Sequence, residues 1–182
     1  KLLDPFCGRG TLPLVAAALG RKVVAYDLST DNLEKIKNAA LNHTDITNED
    51  LTLHHSCGVT LEHYKDDEDT FDLIISDPPF LFGVEQYGDD PRDLCQIKTV
   101  DGYVTKMTEC VANLKRLIKP SCWETKKFHP IVLKVGSGRR GEMGLVDLAT
   151  EFEIITRGLG LVLHDKIINV LDSQWGMFNV SR

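Results

Sequence analysis

The chain has 182 residues, 42 % apolar and 26 % charged, the make-up of one folded domain able to bury a core. Its formal net charge of −6 argues against a surface that grips a phosphate backbone unaided. No apolar run approaches the ~18 residues of a membrane span, and the odd set Cys7, Cys57, Cys95, Cys110 and Cys122, without CxxC or Cys/His zinc spacing, points to buried thiols in a reducing, cytoplasmic setting and to no metal.

The first strand is read over "KLLDPF" (residues 1–6), where an acid and a proline also exclude a signal peptide. The chain opens inside this strand, so upstream residues are expected in the natural protein, and 1–182 is read as a single domain truncated at its start. In "DPFCGRGTLP", Gly8 and Gly10 let the backbone turn sharply and lie close to a ligand. A helix, "TLPLVAAALG" (11–20), follows at once. Pro13 stands where a dinucleotide fingerprint wants a third Gly or Ala, which counts against NAD or FAD. The second strand, "KVVAYD" (22–27), ends on Asp27, which is placed to accept hydrogen bonds from ribose hydroxyls. A helix over 29–43 has Ser29 or Thr30 as N-cap and Leu33, Ile36 and Ala40 on one face. The third strand, "LTLHHS" (51–56), sends His54 and His55 to opposite faces and leads into Ser56, Cys57 and Gly58, near an adenine ring.

The fourth strand, "FDLIIS" (71–76), ends in "SDPPF". Proline fixes φ and donates no hydrogen bond, so the pair stops the ladder and keeps the next backbone extended. One carboxylate oxygen of Asp77 and the carbonyl of Pro78 then lie close together, with Phe80 as a flat apolar face. Two acceptors and a ring suit a planar group that carries an NH2. The irregular stretch 81–99 is long enough to be functional, and Tyr87, Arg92 and Lys98 in it are expected to close over a substrate. A helix over 100–119, a loop over 120–129 and a fifth strand over 129–136 come next. Arg139 and Arg140 in the following glycine-rich turn are read as phosphate contacts. A helix over 144–160 and two final strands, 161–172 and 177–182, complete the chain. This alternation predicts an α/β fold with a parallel sheet covered on both faces and ligands at the carboxyl ends of its strands.

"LLDPFCGRGTLPLVAAALGRKVVAYDLS" and "SDPPF", in this order, resemble the class I S-adenosylmethionine-dependent methyltransferases, and the tetrad resembles their amino-methyltransferase branch. Within it, the region from strand five onward, "IVLKVGSGRRGEMG" and "LATEFEIITRGLGLVLHDKIINVL", looks most like methylases of adenine N6 or cytosine N4 in DNA. The resemblance implies a three-layer Rossmann-like fold whose seven-stranded sheet has its last strand antiparallel. It implies S-adenosyl-L-methionine as cofactor, held by Asp4, Pro5, Phe6, Cys7, Gly8, Gly10 and Thr11, with Asp27 and Leu28 at the ribose and Cys57 beyond. Asp77, Pro78, Pro79 and Phe80 would be the catalytic group that takes the target base. The sequence departs from the pattern in three places: strand three ends without the usual acid, Phe80 replaces the commoner Tyr, and Arg9 stands where Ser is frequent. The expected partner is nucleic acid, DNA before RNA, with a separate recognition domain or subunit and no membrane. A catalytically silent binding subunit is the reading from another class.

Overall fold

The computed structural model describes residues 1–43, 45–47, 49–64, 67–68, 70–81, 90–139 and 144–167. Five strands form its main sheet: β1 (Leu2–Asp4), β2 (Val23–Asp27), β3 (Leu51–His55), β4 (Leu73–Ser76) and β5 (Ile131–Leu133). They are parallel and ordered β3-β2-β1-β4-β5. The register sets Leu2 against Val23 on one side and Leu73 on the other.

Alternation along each strand divides the core into two layers. Leu3, Val24, Tyr26 and Ile74 share one face with Met107, Cys110 and Leu114 of α3 (Val100–Leu117) and with Phe152 and Ile155 of α4 (Leu148–Gly158). Leu2 and Val23 meet Ala16 and Ala17 of α1 (Thr11–Ala18) on the other. On that face Ala25 packs on Leu33 and Ile36 of α2 (Thr30–Leu41). The result is a three-layer α/β fold of the Rossmann type. Cys7, Cys57, Cys95 and Cys110 are buried, Cys122 is half-buried, and all are free thiols.

The strands are shorter than the apolar runs that predicted them. β1 stops at Asp4 because Pro5 has no N–H to donate, and β4 stops at Ser76 before the proline pair. The helix expected from residue 144 starts only at Leu148. Asp147 caps it, accepting from the Thr150 N–H at 3.3 Å, and the residues before the cap pair as a strand instead. That strand, β7 (Leu145–Val146), is antiparallel to β6 (Gly138–Arg139) in a separate two-stranded sheet. Residues 161–167 carry no strand, and 168–182, with most of the expected final pair, lie outside the described residues.

β1 is the switch point of the sheet, with β2 on one side and β4 on the other. The crevice at a parallel sheet's switch point opens beyond the carboxyl ends of its strands, which here are Asp4, Asp27 and Ser76.

Candidate functional site

The turn after β1 is left-handed at Gly8 (φ 51°) and Gly10 (φ 84°). A Cβ on Gly10 would lie 2.2 Å from Cγ1 of Ile36, so glycine is what lets α1 begin against α2. At Gly8 an added Cβ meets nothing within 4 Å, and the residue opens onto the cleft. Asp27 latches this turn. Its Oδ2 accepts from the Gly8 N–H at 2.8 Å, and its Oδ1 accepts from the Ser29 N–H at 2.7 Å and the Asn32 amide at 3.3 Å. Burial nonetheless raises its pKa above the ordinary carboxylate value. Gly58, after β3, is also obligatory, since its Cβ would fall 1.9 Å from the Pro5 carbonyl oxygen. The turns after β1 and β3 therefore touch through their backbones.

Asp4 lies beneath this turn, 2 % exposed. The Ser76 hydroxyl donates to its Oδ1 at 2.5 Å and the Phe6 N–H at 3.2 Å, tying β1 to the end of β4. Burial pushes its pKa up to about 6, against those hydrogen bonds and with smaller help from the charges of Asp27 and Asp77.

Asp77 is exposed at the opposite wall, where Lys134 Nζ, just past β5, donates to its Oδ2 at 2.6 Å. The same ammonium stands 5.6 Å from the centre of the Phe80 ring. Phe80 also lies on Gly136, whose Cβ would come within 3.0 Å of the ring. Pro78 is buried, and among the described residues nothing hydrogen-bonds to its carbonyl. The Pro79 carbonyl accepts from the Tyr103 hydroxyl at 2.8 Å. Tyr103, from the first turn of α3 and 1 % exposed, thus holds the tetrad from behind.

One cleft brings both halves together. Of the residues named from sequence, Pro5, Phe6, Gly8, Asp27 and Leu28 line one side, and Cys57, Asp77 and Pro79 continue it. Asp4 sits below it, Cys7 packs among Ala25, Leu33 and Ile36, and Thr11 is exposed at the start of α1. Gly10, Pro78 and Phe80 support the wall rather than line it. Within the 81–99 stretch, Arg92, Asp93 and Leu94 return to this cleft beside Cys57. Arg92 is paired with Asp90 at 2.8 Å, and Lys98 donates to the Cys95 carbonyl at 3.2 Å. Tyr87 and Arg140 lie outside the described residues, as does the side chain of Arg139. Sequence reasoning missed Asn32, Asp93, Leu94, Tyr103 and Lys134. Lys134 alone left a local trace, as a charge closing an apolar strand.

A family model described as Conserved hypothetical protein 95 matches residues 1–129. No curated protein matches the chain. Among similar solved structures, a SAM-dependent methyltransferase from Agrobacterium tumefaciens shares 19 % identity at a TM-score of 0.58, over 88 % of this chain and 44 % of that one. A candidate rRNA-methylase from Clostridium thermocellum shares 16 % identity at a TM-score of 0.52, over 90 % of this chain and 74 % of that one. The cyclase SpnF shares 16 % identity at a TM-score of 0.53, over 87 % of this chain and 49 % of that one. The present chain thus spans less than half the length of the Agrobacterium protein. At these identities the likeness is one of fold, and the presence of a cyclase beside methyltransferases shows that the fold does not set the reaction.

Proposed function

The chain belongs to the family described as Conserved hypothetical protein 95, and on that premise we propose that it transfers a methyl group from S-adenosylmethionine to an exocyclic amino nitrogen of a nucleobase in RNA. The observation that carries the reading is the one cleft that is lined both by Gly8 and Asp27 and by Asp77 and Pro79. The residues fit the cofactor. Gly8 leaves room where any other side chain would project, and Asp27 holds the turn with a carboxylate that lines the cleft. When bound, S-adenosylmethionine supplies a methyl group made electrophilic by its sulfonium.

The chain's own part is to hold the amino group. One N–H of the amino group donates a hydrogen bond to the Asp77 carboxylate and the other donates to the Pro78 carbonyl, which favours a pyramidal nitrogen with a freer lone pair. Tyr103 fixes the backbone that carries this carbonyl. Phe80 gives the base a face to stack on. Lys134 holds the place of the amino group until it arrives. Lys134 and Asp77 are both about half exposed, so their pair is worth under about 1 kcal/mol and yields readily. Holding two reactants in attack geometry accounts for about 7–11 kcal/mol of a barrier, so positioning is the main service asked of these residues. The amine loses its proton easily once methylated, and Asp77 need not be a strong base. The sequence favoured DNA. The nucleic acid named among the similar structures is ribosomal RNA, which moves the preference to RNA.

The test combines calorimetry with label transfer. Asp77→Ala should bind S-adenosylhomocysteine as the parent does and lose at least about a hundredfold in methyl transfer to RNA. Unchanged turnover removes Asp77 from the mechanism, and label on DNA with none on ribosomal or transfer RNA overturns the substrate.

A further inference from the structure

We propose that Asp93 is the residue that recognises the adenine amino group of the cofactor, an inference that rests on the S-adenosylmethionine reading above. The strand order fixes a direction along the cleft. Asp77 follows β4, the Gly8 turn follows β1, Asp27 ends β2 and Cys57 follows β3, side by side. A ligand with its reactive end at Asp77 and its ribose at Asp27 extends its base toward Ser56, Cys57 and Gly58. Those three residues offer a hydroxyl, a thiol and a backbone, and no charged acceptor.

The acceptor there comes from another part of the chain. The Cys57 thiol faces the Arg92 carbonyl at 4.0 Å, and the next two residues, Asp93 and Leu94, line the same cleft. Asp93 is 7 % exposed. A carboxylate buried this deeply is ordinarily paired, yet the adjacent Arg92 gives its guanidinium to Asp90, at 3.1 and 2.8 Å. Asp93 Oδ1 accepts from the Cys95 N–H at 2.9 Å, which caps the short turn Leu94–Gln96 and fixes the carboxylate's orientation. A carboxylate has about four acceptor positions. The N–H and neighbouring thiol of Cys95 account for two, and the remainder suit a ligand that donates. Leu28 and Leu94 supply apolar surface in the same cleft for the ring. Among the hydrogen-bonding groups of an adenine ring, the exocyclic amine is the donor.

The experiment compares two ligands that differ at that amine, S-adenosylhomocysteine and S-inosylhomocysteine, by calorimetry on the full chain. The parent should prefer the amino ligand by more than about tenfold. Asp93→Asn keeps the carbonyl oxygen that the Cys95 N–H needs and adds a donor for the oxo group, so the preference should vanish or reverse. Asp93→Ser, which also caps a turn, should abolish the preference too. Asp27→Asn should weaken both ligands alike and leave the preference intact. A preference that survives in both Asp93 variants, equal weakening of both ligands by them, or a parent that does not discriminate overturns the assignment while leaving the cofactor reading in place. A parent that binds neither ligand removes the cofactor reading and the assignment with it.

Discussion

Asp4 shows how one side chain can oppose the stability of the domain that contains it. Its folded pKa of about 6 stands above its ordinary value of 3.8. The fold therefore favours the protonated acid, and Asp4's contribution is most favourable below about pH 4 and is lost as pH rises toward 6. At neutral pH the ionised carboxylate stays buried against Ser76 and the Phe6 N–H at a net cost of about 3 kcal/mol. Asp4→Asn keeps an oxygen for Ser76 and removes the charge. Urea unfolding should find this variant more stable than the parent at pH 7.5, by up to about that amount, with the gap closing toward pH 4. A parent and variant that differ equally at both pH values would show that charge is not the cause. "LLDPF" made Asp4 visible as a strand-end acid, but only the pairing of β1 with β4 reveals that it is sealed beneath the turn.

Between elements, the decisive contacts are the approach of α1 to α2 and the support of the tetrad by α3. Gly10→Ala places a Cβ 2.2 Å from Ile36 Cγ1 at a residue with φ of 84°. It should cost more than about 2 kcal/mol in chemical unfolding. Gly158→Ala, in α4 with nothing within 4 Å of its Cβ, should instead be neutral or gain up to about 1 kcal/mol. Tyr103→Phe removes the hydroxyl that holds the Pro79 carbonyl. Stability should fall by about 1 kcal/mol, and kcat by about tenfold, while the affinity for S-adenosylhomocysteine is kept. A fall in that affinity would mean that α3 supports the whole cleft rather than the tetrad alone. Elements with a long periodic signal were legible. Leu33 and Ile36 of α2, expected on its inner face, are indeed buried against Ala25. The β6–β7 pair was not legible, because two-residue strands carry no period and exist only through their partner.

For the molecule as a whole, strand-helix alternation was enough to give the parallel sheet and its two helical layers; the central strands β1 and β2 are buried on both faces and write that into their composition, whereas β3 exposes Thr52 and His55 and β5 exposes Val132. The cleft was half legible. Gly8, Asp27 and Asp77 lie in short local patterns that each constrain the backbone, and the strand order brings them to one edge. Asp93 and Tyr103 were silent, and Lys134 showed only as a charge closing an apolar strand, because each comes to the cleft from a segment whose path is set by tertiary packing. Asp93 enters the cleft because the chain returns after Asp77 to set the Arg92 carbonyl against Cys57, and Lys134 meets Asp77 only because β5 pairs with β4.

The central place of β1 also fixes the order in which the chain can be completed during synthesis. A growing chain that has emerged through residue 27 can already pair β1 with β2 and close the Gly8–Asp27 latch. Its other edge stays bare until residues 73–76 emerge, and β5 follows only after the whole of α3. An unpaired edge of "LLD" on a nascent polypeptide is a template for the wrong partner. Slower translation before residue 73 would lengthen that exposure, so the yield of folded protein from a ribosome should depend on codon choice there more than in the segment that follows β4.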